Sequence, residues 1–441
     1  MSKKRIYCFI NTIEEWYFLK KHYNDYKKII LTTSPELTIN KEINKKLIIL
    51  DKKISNKMNN LSKDIGVFSN LIFDKLKPEY NHNFNTQLSI FLFNFFRLVR
   101  AAMPLNKNHL LDKVLVINLE TNNKKFNNWL DDQNIYLKIF SGQKNLIIKK
   151  VNMNKNKYHS NLENASFLSR VANLGFNHLE FLLWRCFWKF YPTSLSKGKF
   201  YVGVDGPFVR ETLINLSRKG YKFEELNNPP INLLNKNKKN YKNIIKITLP
   251  IKILLFKWLK KDIAKLIYNI YLKDLDNFLR KFDFNSNFWK KKLVKEDKRN
   301  IKGLLSTHFY PERFQGLPDY FIENNIPICN FQHGHGREIS KKTNTYYKWF
   351  SYAVETVGDI NFTYNKESEK ISNENPLIRG KFYSVGTPKV YNNRIYSNSS
   401  YKVIFVSTTV CKGMTITPID AHWDDTKKVN FDIKCIDMVL K

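Results

Sequence analysis

Hydrophobic and polar positions come in blocks along this chain, and the blocks set a rhythm. Residues 5–10, 28–32 and 47–51 are short runs rich in Ile and Leu, and the stretch 13–26 between the first two is long enough for a helix. Short apolar runs separated by helix-length segments predict a parallel sheet covered by helices, because a parallel strand must cross back to the edge where its neighbour began. Residues 64–73 and 88–103 carry helical patterns, the second stopped by Pro104, and strand character returns over 113–119 and 135–140. The first third of the chain thus reads as an α/β unit.

Residues 162–190 read as a long, mostly apolar helix or helix pair in which Trp184, Phe187 and Trp188 stand beside Arg185 and Lys189. Two readings are open for it: buried core, or docking on a membrane surface, since an interfacial helix sets aromatic and aliphatic residues against Lys or Arg. The α/β rhythm then resumes. Residues 199–204 predict a strand, Asp205-Gly206 a turn, Pro207 a first helical position and 208–218 a helix, which places Asp205 at a strand's carboxyl end. Residues 227–241, with Pro229-Pro230 and Lys/Asn runs, form an exposed loop or linker. Residues 251–282 predict a basic amphipathic helical stretch, with Trp258, Leu259, Ile263 and Ile267 on one side and solvated Lys260, Lys261 and Lys265 elsewhere. Strands follow at 301–306, 327–331, 360–363 and 382–385, with a helix over 311–324. A polar stretch, 391–400, reads as a linker before one more strand at 401–407.

Composition narrows the class. The chain has 441 residues, of which 43% are hydrophobic and 15% aromatic, so it is expected to be globular with two or three domains. A net charge of +35 is compatible with nucleic acid, an anionic membrane surface or anionic substrates. Lys and Asn are spread over the whole chain, and no zinc pair, RNP-like aromatic motif or heptad with a basic region accompanies them, so nucleic acid is not expected as a partner. The five cysteines are scattered without a CxxC, which indicates neither a disulfide framework nor a zinc ribbon and makes a reducing cytoplasm the simplest home. The apolar run of residues 6–10 stops at Asn11 and reads as a first strand, not a signal peptide. Residues 88–103 and 176–191 are the most apolar stretches, and each carries charges that exclude a bilayer span.

The chemistry concentrates in residues 327–338, Pro-Ile-Cys-Asn-Phe-Gln-His-Gly-His-Gly-Arg-Glu. An apolar run ends in a polar, glycine-bearing loop, and in open parallel sheets the ligand crevice lies outside the strands' carboxyl ends. The plainer alternative is an ordinary turn with solvated His. His333 and His335 at i, i+2 would share a face if extended, but no third ligand stands at a recognisable spacing, so no metal is expected. No G-x-S-x-G occurs, and Cys329 inside the apolar run reads as core.

Phe331-Gln332-His333-Gly334, then Glu355 and Asp359 ahead of the strand at Phe362-Thr363, then Gly386-Thr387-Pro388-Lys389 and the strand at 403–407 together resemble surface-carbohydrate transferases of the GT-B type. These include the Kdo and capsule transferases and the CDP-glycerol glycerophosphotransferases. The resemblance covers roughly residues 300–423. It implies an α/β, GT-B-like fold of two facing Rossmann-like domains, with donor and acceptor meeting in the cleft and neither metal nor cofactor required. It also implies transfer of a nucleotide-activated sugar or polyol phosphate to a saccharide or lipid-linked acceptor, by a cytoplasmic protein peripheral to the membrane. The catalytic candidates are His333 and Glu355, with His333 as base and Glu355 orienting a His. Substrate-binding candidates are Gln332, Gly334, His335, Arg337, Asp205, Gly386, Pro388 and Lys389. On this pattern residues 1–390 form an acceptor-side domain with a helical insertion at about 160–300. Residues 401–441 are then only the start of a second Rossmann-like domain, so that a second chain would supply the donor half. The rivals are a transferase inactivated by truncation and a non-catalytic basic protein that binds a membrane or nucleic acid.

Overall fold

The computed structural model describes residues 5–10, 13–25, 27–32, 47–49, 64, 67–68, 71–72, 74–75, 81–103, 114–120, 139, 146–152, 176–226, 242–309, 314–332, 357–374 and 379–386. Eleven described strands fall into two open sheets, each parallel throughout. The first contains β1 (Arg5–Phe9), β2 (Lys27–Thr32), β3 (Leu47–Ile49), β4 (Val114–Glu120) and β5 (Leu146–Asn152), in the order β3-β2-β1-β4-β5. The second contains β6 (Lys199–Val202), β7 (Lys222–Glu225), β8 (Ile301–Ser306), β9 (Ile328–Phe331), β10 (Ile360–Thr363) and β11 (Lys381–Ser384), in the order β11-β10-β9-β8-β6-β7. Such sheets are compatible with a Rossmann-like fold. The stretch 1–390, expected as one unit with a helical insertion, therefore holds two sheets, and the second begins inside the expected insertion.

Burial explains why the interior strands were readable. Every residue of β8 except Lys302 is buried, and β6 and β9 are each interrupted by a single half-buried residue. Interior parallel strands are covered by helices on both faces and so read as continuous apolar runs. The edge strands β7 and β11 bury one residue each, and β10, next to β11, alternates.

The described helices are α1 (Ile13–His22), α2 (His82–Ala102), α3 (Phe176–Phe190), α4 (Pro207–Arg218), α5 (Lys242–Thr248), α6 (Ile251–Trp258), α7 (Lys261–Leu293), α8 (Leu317–Glu323) and α9 (Lys366–Asn373). The 33 residues of α7 span about 50 Å. Its buried positions, Ala264, Ile267, Tyr271, Leu275, Phe278, Phe282, Ser286, Trp289 and Leu293, recur at steps of three and four, the period of one helix face. Phe84, Phe91 and Phe95 of α2 meet Phe282, Phe278 and Tyr271 of α7 in that order, so the two helices run antiparallel. This aromatic seam joins the crossover between β3 and β4 to the helix that leads into β8. Near its end the seam turns polar: Asn83 Nδ2 donates to Asp319 Oδ1 of α8 at 2.8 Å and to Gln315 O at 2.7 Å, and Ser286 Oγ donates to Asp319 Oδ2 at 2.5 Å.

One expectation fails locally. The strand expected over 135–140 has helical backbone at Ile139, its one described residue, which is fully buried in the cluster around α2 and α7. An apolar run cannot by itself distinguish a strand from a buried helical turn. The neighbouring strand is β5, placed later in the chain against β4 in unbroken register from Val114–Leu146 to Glu120–Asn152. The linkers expected at 227–241 and 391–400 and the strand expected at 401–407 lie outside the described residues.

Candidate functional site

In the second sheet the chain lays β7 on one side of β6, then returns through α5, α6 and α7 to lay β8 on the other side. The order of strands reverses between β6 and β8. At such a reversal the connections leave the carboxyl edge in opposite directions and open a crevice, the usual ligand position of an open α/β sheet. The first sheet has the same kind of reversal between β1 and β4.

The strand ends at this reversal are joined by a short polar lattice. Gly203 N–H donates to Leu305 O at 2.9 Å, Thr307 N–H to Val204 O at 2.9 Å, and Val204 N–H to Ser306 Oγ at 2.9 Å, while Ser306 Oγ donates to His308 O at 2.7 Å. Thr307 Oγ1 lies 2.9 Å from Nδ1 of the half-exposed His308. Glycine is needed for this closeness: a β-carbon at Gly206 would come within 2.8 Å of Thr307 Cγ2. Gly206 is also the residue before α4, whose Pro207 gives up an N–H that the first turn would leave unpaired. Phe208 stacks on Tyr364 at 5.7 Å and tilts against Phe331 at 5.5 Å, so the first turn of α4 leans over the ends of β9 and β10. The partial positive end of this helix therefore faces the carboxyl edge of the sheet.

Charge gathers on the β6–β7 side. Asp205 Oδ2 accepts from Arg210 Nε at 2.7 Å and lies 2.6 Å from its Nη2. Glu225, at the end of β7, pairs with Arg185 of α3 at 2.5 Å. Burial pushes the Glu225 carboxyl above its ordinary range; Arg185 and Arg210 oppose this and the negative Asp205 adds to it. Two carboxylates and two guanidiniums thus border one edge as two ion pairs, Arg210–Asp205 and Arg185–Glu225.

The residues anticipated from sequence divide three ways. Asp205 and Gln332 come to the same carboxyl edge, two strand spacings or about 10 Å apart. Gly386 also ends a strand of this edge, with φ +84 and open space where a side chain would go, but it follows the outermost strand β11, about 19 Å from Asp205. His333, Gly334, His335, Arg337, Glu355, Pro388 and Lys389 lie outside the described residues. Gln332 is buried: its Oε1 accepts the Tyr364 N–H at 3.0 Å and its carbonyl accepts the Tyr364 hydroxyl at 3.1 Å, which ties β9 to β10. Asp359 sits at the opposite, amino edge, where it accepts the Ile328 N–H at 2.9 Å and pairs with Arg379 at 2.9 Å. Burial, with the charge of Asp359 adding to it, pushes the Cys329 thiol up to about 11, so it stays protonated at neutral pH.

Sequence reading passed over His308, Ser306, Thr307, Arg210 and Glu225. The rule that singled out Asp205, polar residues just past a strand's carboxyl end, applies equally to Ser306-Thr307-His308 after β8. Glu225 needed β7 to be recognised first. Among the described residues no group of three or more His, Cys, Asp or Glu side chains could hold a metal ion, and no helix is long and apolar enough to cross a membrane. No protein-family profile, no curated protein and no solved structure matches the chain.

Proposed function

We propose that the chain is a GT-B-like transferase that moves a nucleotide-activated sugar or a polyol phosphate onto a saccharide acceptor destined for the cell surface. The observation that carries this reading is the pair of open parallel sheets in one chain, each with an internal order reversal, the position at which such sheets usually carry a ligand crevice. Two such positions suit a reaction that brings together two large substrates. On the second sheet, the first turn of α4 and Arg210 suit the phosphates of the donor. An acceptor hydroxyl needs a base, and His333 directly follows Gln332 at the end of β9. The donor site is thereby assigned to residues before 390, in place of a half supplied by another chain.

The test is titration of the full chain with a panel of nucleotide-sugars and CDP-polyols, followed by turnover with saccharide acceptors. One donor is expected to bind at micromolar strength, roughly 8 kcal/mol. His333→Ala is expected to lower turnover about 100-fold or more, the scale of a lost general base, with donor affinity little changed. Failure of every donor to bind would sink the transferase reading; an unchanged rate in His333→Ala would remove only that residue from it.

A further inference from the structure

Helix α3 has two apolar faces and uses one of them for the core. Phe181 and Trp188 are buried against Val209, Leu213 and Phe223, and the Trp188 indole donates to Ser217 Oγ at 2.9 Å. On the opposite side Leu179, Leu183, Phe187 and Phe190, at steps of four, four and three, form one helical stripe whose exposures are 44%, 62%, 44% and 82%. Cys186 is exposed within the stripe, and Leu195, just past the helix, is 65% exposed. A contiguous apolar stripe of this kind marks an interaction surface.

Charge identifies the occupant. Lys189 flanks the stripe, its ammonium 5.9 Å from the Phe190 ring centroid. The single acid of α3, Glu180, is neutralised by Arg218 at 2.6 Å and also accepts from the Trp184 indole, so among the described residues Lys189 leaves the stripe's border with a net positive charge. A second copy docked stripe to stripe would bring together two bodies of formal charge +35 each. A bilayer with anionic headgroups accepts both the apolar stripe and the positive charge, and aromatic rings with a nearby lysine are the side chains that settle at headgroup level. We propose that α3 lies in the surface of an anionic bilayer, with Leu179, Leu183, Phe187 and Phe190 below the headgroups. The proposal stands on the stripe and the charge and is independent of the transfer reaction.

The experiment is cosedimentation of the full chain with phosphatidylcholine vesicles, with and without phosphatidylglycerol. Wild type is expected to sediment with the anionic vesicles only. Leu183→Glu/Phe190→Glu is expected to weaken this partitioning about 100-fold or more, since each change removes a large apolar group from the bilayer and adds a charge. Both positions face solvent, so the melting temperature is expected to stay at the wild-type value, and Leu183→Phe/Phe190→Leu is expected to bind like wild type. Equal binding by the glutamate variant would overturn the proposal by showing non-specific attraction of a cationic chain. So would a wild-type dimer in solution that the glutamate variant dissociates. Loss of vesicle binding in Ile253→Glu/Phe256→Glu, the exposed apolar pair of α6, with none in the α3 variant, would likewise overturn it.

Discussion

Gly316 is where α8 meets the backbone of α7, and replacing it with alanine tests how rigid that junction is. A β-carbon at this position would stand 2.5 Å from Ser286 Cα and 2.8 Å from Ser286 Cβ, with Ser286 N closer still. Ordinary carbon contacts need about 3.5 Å, so the two segments must separate by about 1 Å. Overpacking of this kind costs typically about 1–3 kcal/mol. The same separation pulls Ser286 Oγ away from Asp319 Oδ2 and adds about 1 kcal/mol for the lost hydrogen bond. Gly316→Ala is therefore expected to destabilise by about 2–4 kcal/mol. Urea unfolding followed by circular dichroism measures the total, and hydrogen exchange is expected to locate the loss in the amides of Leu317–Glu323. Because the collision is with backbone atoms, Ser286→Gly should not rescue the variant. A Gly316→Ala protein within about 0.5 kcal/mol of wild type, or full rescue by Ser286→Gly, would refute the rigid-junction account.

Two other substitutions test buried polar contacts, one in the lattice joining β6 to β8 and one at the polar end of the α2–α7 seam. Ser306→Ala leaves the Val204 N–H without its acceptor and is expected to cost about 1–3 kcal/mol and to speed hydrogen exchange at Val204, while Leu304, whose N–H goes to Pro327 O, keeps its wild-type rate; unaltered exchange at Val204 would contradict the assignment. Asp319→Asn tests the buried carboxyl, which burial holds above its ordinary range against the opposing pull of the Ser286 and Asn83 hydrogen bonds. A carboxyl raised in the folded state favours folding fully below its unfolded value, near about 4, and loses that contribution as pH rises through the folded value. The stability of Asp319→Asn relative to wild type is therefore expected to rise from acid to neutral pH, and denaturation midpoints that move the other way would reject this.

Much of the second sheet was legible because β6, β8 and β9 are almost uninterrupted buried runs: the ranges anticipated for them each fall within two residues of the observed strands, as does that for the alternating β10. Strand β7, Lys-Phe-Glu-Glu, was not legible, since an edge strand buries only Phe223 and looks like a charged loop. Helix α9, Lys366–Asn373, was hidden for a related reason: its buried residues are Ser368 and Ser372, and its clearest local signal is the Asn365 cap on the Ser368 N–H. Neighbour order left no trace in local pattern at all, because it depends on contacts between distant segments. The candidate site followed the same division. Asp205 and Gln332 could be read as strand ends, whereas Glu225 depended on the unseen β7, and the company of Asp205 with Ser306, Thr307 and His308 depended on β8 lying beside β6.

The bond from Val204 to Ser306 closes a loop of 102 residues. At ribosomal speeds of about 5–20 residues per second, that distance takes about 5–20 s to synthesise, far longer than a helix needs to form. Any β6–β7 pair formed in that interval has one long side unpaired, and its α4 has no sheet of full width to rest on. The junction of β6 with β8 is consequently completed only after β8 has been made, and until then the free side of β6 is an unpaired strand edge open to other chains.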